Sequence, residues 1–350
     1  MVFYFIITSW AAMAIREYLK LARSFNAVLT GMSPVMGAIA MGQYNILTLF
    51  ILFLIGFFGH TFGFVFNDII DYKIDKSSKE ISDRPLISGT ISIKKAWLFA
   101  FLSMVISFAL AIYIAIINQN LLPILILAIS AFFIALYDLV SKKLPFMDIF
   151  VALGVFFLIL YGATANVTDL ASVTKIAWIV CILGSLQVLY MQFIAGGLKD
   201  IENDFESGAK TAAIKLGVRT QNGELKISSS FKALAYGLQV IDIIVVFLPF
   251  FIIWGLETLS IFQYAQWMII ILIALVMFFL SYKLLSTKKF ERSKARKYIG
   301  SHYMINFMIV PIMLMSQNNP WPGILVFFPG LGFILSNIVL HGTILQPKTM

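Results

Sequence analysis

Asn67-Asp68-Ile69-Ile70-Asp71-Tyr72-Lys73-Ile74-Asp75 ends an apolar run that starts near residue 47. A second acidic stretch, Lys199-Asp200-Ile201-Glu202-Asn203-Asp204, ends another run that starts near residue 174. Carboxylates grouped at the edge of an apolar span repel one another unless a cation neutralises them. Two such clusters therefore point to a divalent metal, and through the metal to phosphate.

The rest of the chain fits that setting. Its 350 residues are 60% hydrophobic and only 12% charged, a polytopic membrane composition. Apolar runs of spanning length lie at 25–43, 47–68, 95–117, 121–140, 146–165, 174–197, 233–254 and 265–285, with shorter ones at 299–316 and 321–341. The connecting loops alternate in charge. Of the 26 Lys and Arg residues, all but Lys175 fall on one set of loops. The positive-inside rule puts that set in the cytoplasm, with the net charge of +9 following topology and giving no sign of nucleic-acid binding. This parity requires ten spans after residue 24, or eight and a terminal hairpin. Residues 1–24, carrying Arg16, Lys20 and Arg23, read as an interfacial helix. Residues 25–316 read as the transmembrane domain and 317–350 as an extra hydrophobic segment. The lone cysteine, Cys181, excludes an internal disulfide.

Both acidic clusters fall on the cytoplasmic face, four spans apart, an even number that lets them meet. Asn67, Asp71 and Asp75 are spaced i, i+4, i+8 and share one helix face, and Asp200 and Asp204 repeat the interval. Opposed across a cavity, two such faces could hold Mg²⁺, which prefers carboxylate oxygens and is completed by water and substrate phosphate. A single Asp-x-x-x-Asp is usually a solvated helix end; two on one face are not. Asp68 and Glu202 point off the shared faces. Arg84, Lys142 and Lys210 could grip diphosphate oxygens, although topology alone supplies most of the basic residues here, Lys94 and Lys95 among them. His60 lies one heptad before Asn67, near the same face, and is either a proton acceptor or a core histidine.

Asn67-Asp68-x-x-Asp71-x-x-x-Asp75, followed by Asp83-Arg84-Pro85-Leu86-x-x-Gly89, resembles the first signature of the UbiA-type intramembrane prenyltransferases. Asp200-Ile201-Glu202-x-Asp204-x-x-x-Gly208-x-Lys210-Thr211 resembles the second, and Tyr137 followed by Lys142-Lys143 the basic motif between them. Order and spacing match from Arg23 to about Ser316. The resemblance implies an all-α polytopic membrane bundle of nine or ten transmembrane helices around a lipid-open central cavity. It implies a Mg²⁺-dependent enzyme that moves a polyprenyl group from a prenyl diphosphate to a lipophilic or aromatic acceptor and releases diphosphate. A quinone precursor and an archaeal-type glyceryl phosphate ether lipid are the acceptors to consider. Asn67, Asp71, Asp75, Asp200 and Asp204 are then metal ligands, and Asn67, Asp71, Asp200 and Lys142 catalytic. Arg84, Lys142, Lys210, Tyr137, Arg23 and Asn26 bind substrate, with Arg23 and Asn26 leaning toward the ether-lipid branch.

The chain departs from the pattern at Gly196-Gly197, where many members carry a further acid, and at Phe25, where a proline often follows the arginine. A cation transporter using the same carboxylates would need acids near the membrane midplane. A CDP-alcohol phosphotransferase would need an Asp-Gly-x-x-Ala-Arg start, which neither cluster has. A non-catalytic membrane partner would show no metal dependence.

Overall fold

A computed structural model describes residues 13–76, 81–141, 143–221, 224–288, 291–317 and 319–344. The chain is helical almost throughout, as apolar segments must be where no water can satisfy the backbone. Helix α1 covers 13–21. It is followed by α2 (Ser24–Ala40), α3 (Ile46–Ile70), the single turn α4 (Tyr72–Asp75), α5 (Ile93–Ile117), α6 (Leu122–Val140), α7 (Asp148–Thr164) and α8 (Lys175–Tyr190). A π-helical turn, Met191–Gly196, joins α8 to α9 (Gly197–Lys199). Then come α10 (Ile201–Glu206), α11 (Ala212–Lys215), a hairpin of β1 (Arg219–Gln221) and β2 (Glu224–Lys226), α12 (Ser229–Ile252), α13 (Ile261–Leu285), α14 (Arg292–Leu314) and α15 (Phe327–His341).

Helix starts are set by side-chain caps. Asn45, Ser92, Thr174, Ser228 and Ser260 each accept a hydrogen bond from the backbone N–H three residues on. Among the described residues, seven helices are long and apolar enough to cross a membrane: α3, α5, α6, α8 with its π turn and α9, α12, α13, and α15 with the turn before it. Helices α2 and α7 are apolar but shorter.

Those two short helices form the centre of the bundle, and glycine lets them touch. A Cβ on Gly162 would lie 1.8 Å from the Pro34 carbonyl oxygen, and one on Gly37 would lie 2.0 Å from that of Ile159. No other residue allows this backbone approach, the usual device for packing helices in lipid. Around the crossing lie Leu52, Tyr161 and Phe250, all fully buried. A second core gathers Phe25, Phe231 and Phe333. The last helix belongs to it: α15 packs on α2 and α14, Phe333 meets Phe25 edge-on at 5.7 Å, and Arg16 Nη2 donates to the Leu340 carbonyl at 3.0 Å.

The small antiparallel hairpin has no counterpart in the sequence reading. It lies in the polar 198–232 loop, where the constraint that imposes helix in lipid does not apply, and its Leu225 N–H donates to Lys288 O at 2.8 Å.

Candidate active site

Both acidic clusters bend at their first cavity-facing aspartate. Asp71 (φ −80°, ψ −3°) separates α3 from α4, and Asp200 (φ −104°, ψ 7°) separates α9 from α10. These dihedrals lie in or beside the sparsely occupied region near ψ 0° where active-site residues often sit. The four-residue ladder nevertheless runs through each bend. Asp71 N–H donates to Asn67 O and Asp75 N–H to Asp71 O, both at 2.9 Å. Asp200 N–H donates to Gly196 O at 3.2 Å and Asp204 N–H to Asp200 O at 2.9 Å. The i, i+4 stacking therefore survives, and the two motifs repeat one local geometry four spans apart.

The two faces meet. Asn67, Asp71 and Asp75 on one side and Asp200, Asn203 and Asp204 on the other line a single cavity of about 290 Å³. Arg23, Asn26, Arg84 and Tyr137, which the resemblance assigned to substrate, line it too. Lys210 does not: its side chain is exposed and outside the cavity wall, and the neighbour that reaches the cavity is Thr211. Lys142 lies outside the described residues.

The cationic wall is a buried knot. Arg23 Nη2 donates to Asp68 Oδ1 at 2.7 Å, and Arg84 Nη1 donates to Asp75 Oδ2 at 2.7 Å while standing 3.7 Å from Asp68 Oδ1. All four side chains are at most a tenth exposed. Burial alone would pull the Arg84 guanidinium down, but Asp68, Asp75, Asp200 and Asp71 together outweigh it and hold its pKa above the ordinary value. Asp68 does not line the cavity, nor does Glu202, as expected from their positions on the helix. Asp68 instead fastens the two arginines. Arg23 itself has a left-handed backbone conformation (φ 47°, ψ 52°), which costs a non-glycine residue about 1–2 kcal/mol and persists only where the surroundings enforce it. The Arg23 guanidinium lies 4.8 Å over the Phe64 ring as well.

Among the described residues, no three His, Cys, Asp or Glu side chains are gathered tightly enough to enclose an ion. The acids face each other across the cavity. That donor set is hard oxygen throughout, and it suits Mg²⁺, which keeps several waters and takes only one or two protein carboxylates beside substrate phosphates. It does not suit a closed site built wholly from protein ligands.

Three features escaped the sequence. Asp138, a buried cavity residue on α6, accepts from Asn67 Nδ2 at 3.1 Å through Oδ1. The adjacent Tyr137 was the only signal. The amide nitrogen of Asn67 is thus engaged by Asp138. The π turn places Met191, Gln192 and Phe193 on the cavity wall immediately before the second acidic motif; such turns recur at functional sites and leave no compositional mark. His60 lines the cavity, as its heptad spacing from Asn67 suggested, but its ring partners came only with the fold.

The sequence pattern of the UbiA prenyltransferase family matches residues 27–309. The chain is 28% identical over 301 residues to the digeranylgeranylglyceryl phosphate synthase of Saccharolobus solfataricus, covering 82% of this chain and 93% of that protein. It is 30% identical over 214 residues to the protein of the same name from Sulfolobus acidocaldarius, covering 59% and 72%. Among solved structures, the apo UbiA homologue from Aeropyrum pernix superposes with a TM-score of 0.64 at 16% identity, over 86% of this chain and 98% of that one. A UbiA homologue from Archaeoglobus fulgidus bound to GPP and Mg²⁺ gives 0.57 at 18% identity, over 84% and 99%.

Proposed function

The chain belongs to the UbiA prenyltransferase family and is a prenyltransferase; on that premise we propose that it transfers a polyprenyl group, with Mg²⁺, to a lipid acceptor carrying a glyceryl phosphate. The observation that carries this reading is the facing of two bent acidic motifs across one cavity whose wall also holds two buried arginines. The names of the relatives support the acceptor class.

Asn67, Asp71, Asp75, Asp200 and Asp204 would hold the metal. Bound there with the diphosphate, Mg²⁺ would supply Lewis-acid neutralisation of the charge that builds on the leaving group. Arg84 adds fixed positive charge at that end, and Lys142 is assigned the same task from the resemblance. Asn26 presents a buried side-chain oxygen without a partner among the described residues, and with Arg23 it forms the acceptor-binding corner. Deeper in, Phe62, Phe108, Leu127, Ile134, Val155 and Leu158 offer the allylic cation and its tail an apolar, partly aromatic wall that keeps water away.

For topology we propose ten spans: the seven long apolar helices together with α2, α7 and α14. The active site then opens on the cytoplasmic face and the cavity opens laterally to lipid; of the end segments read as interfacial (1–24) and added (317–350), residues 1–12, 318 and 345–350 lie outside the described residues.

The test is product analysis by mass spectrometry. Protein in bilayers receives geranylgeranyl diphosphate, Mg²⁺ and a panel containing geranylgeranylglyceryl phosphate and phenolic acids. An ether product that disappears with EDTA and with Asp71→Asn supports the reading. Prenylation of a phenolic acid alone overturns the acceptor class, and no Mg²⁺-dependent turnover overturns the metal role.

A further inference from the structure

We propose that His60 is the proton acceptor for the hydroxyl group of the acceptor. The assignment rests on the reading above, in which the acceptor is an alcohol that becomes an ether.

His60 sits on α3 two turns inside Asn67, and its ring faces the same cavity. The ring is held on two sides. Nδ1 is 2.8 Å from Thr30 Oγ1 on α2, and the ring stacks on Phe64 at 4.1 Å and 24°. Its Nε2 is buried and has no hydrogen-bond partner among the described residues. A buried ring nitrogen without a partner is costly and needs explanation. A substrate hydroxyl supplies it. If Nδ1–H donates to Thr30, the lone pair is on Nε2, which is the tautomer a base requires.

The surroundings fit an acceptor that is an alcohol at one end and an anion at the other. The Arg23 guanidinium lies 4.8 Å from the same Phe64 ring, so it is within about 9 Å of the His60 ring when the two steps are laid end to end. A short polyol phosphate fits within that limit, with its phosphate at Arg23 and its hydroxyl at His60.

The charged and titratable groups around the ring are few. From α2 there is only Arg23, with Asp68 of α3 paired to it. Helix α5 turns Ser103 and Ser107 inward and has its charges, Lys94 and Lys95, in its first turn. Helix α6 contributes Tyr137 and Asp138 at the level of Asn67, and α4 contributes Tyr72, Lys73 and Asp75 beyond the bend.

The step balances without a further reactant. The acceptor oxygen forms a bond to the allylic carbon. The bond from that carbon to the bridging oxygen breaks, and its electron pair leaves on diphosphate. The hydroxyl proton passes to Nε2, and the imidazolium returns it to water after the ether product departs.

Full-length protein in bilayers, with geranylgeranyl diphosphate, Mg²⁺ and geranylgeranylglyceryl phosphate, is compared with His60→Gln and Thr30→Val from about pH 3 to pH 9. His60→Gln keeps a hydrogen-bonding group but cannot take the proton. It is expected to lower kcat about 100-fold, leave the donor KM within about threefold and remove the acidic limb of the pH profile. Thr30→Val leaves the ring in place and is expected to move that limb by at least about half a pH unit. A His60→Gln enzyme within about threefold of wild-type kcat and with the same limb overturns the assignment. Should His60→Gln fail to fold, an unmoved limb in Thr30→Val overturns it instead. If the wild type forms no ether product and prenylates a phenolic acid, the acceptor reading falls and this assignment with it; an active His60→Gln beside an ether-forming wild type sinks the assignment alone.

Discussion

Asp68 and Asp71 are three residues apart in one acidic motif, yet the structure gives them opposite tasks. Asp68 is 6% exposed and bonded to Arg23 at 2.7 Å, with Arg84 at 3.7 Å, and it does not line the cavity. Asp71 lines the cavity between Asn67 and Asp75. Removing one partner of a buried ion pair typically costs about 3–5 kcal/mol, because it leaves an uncompensated charge. Asn at position 68 keeps one accepting oxygen, so Asp68→Asn is expected at the lower end of that range, about 3 kcal/mol. Asp71→Asn removes charge from a cluster of like charges, so its stability cost is smaller. The assay is thermal unfolding in detergent beside an Mg²⁺ titration of turnover. Asp68→Asn should unfold well below wild type and below Asp71→Asn, with the Mg²⁺ needed for half-maximal rate changed less than about threefold. Asp71→Asn should raise that concentration more than about tenfold, the loss expected when a metal contact goes. An Asp68→Asn protein that melts with the wild type and needs tenfold more Mg²⁺ would refute the division of roles.

Two further substitutions probe the bundle away from the acids. Gly162→Ala would put a Cβ 1.8 Å from the Pro34 carbonyl, so α2 and α7 must separate. The expected loss is at or above about 3 kcal/mol, the upper end for overpacking, read as poor folded yield and a lower melting temperature. Asp242 on α12 is 4% exposed, and neither carboxyl oxygen has a partner among the described residues. A buried carboxyl so placed adds no stability, so Asp242→Asn should melt within about 1 kcal/mol of wild type or above it. A large drop would reveal a partner that holds the charge.

The helices were legible because lipid leaves the backbone one solution. The runs read at 47–68 and 95–117 became Ile46–Ile70 and Ile93–Ile117, and the shift at the second start follows the Ser92 cap. The stacking of Asn67, Asp71 and Asp75 was legible as well, because four-residue spacing is local and the ladder runs through the bend at Asp71. Pairings across the bundle were not. Nothing near position 67 indicates that Asn67 will donate to Asp138, 71 residues away, or that Arg84 will turn back onto Asp75. Lys210 shows the converse limit, since a motif places a residue in sequence and cannot say which way its side chain leaves the loop.

That difference explains why the first motif carries four polar groups where metal binding needs fewer. Asn67, Asp71 and Asp75 face the cavity, while Asp68, one residue out of phase, points to the wall and fastens Arg23 and Arg84 behind it. Arg84 in turn reaches Asp75, so the cavity face and the supporting face are joined through one guanidinium. Charges fixed in this way need little reorganisation as a diphosphate leaves, which is the condition under which buried electrostatics favours a transition state. The motif thus encodes a face and its support in one helical turn, and only the face can be read from the spacing.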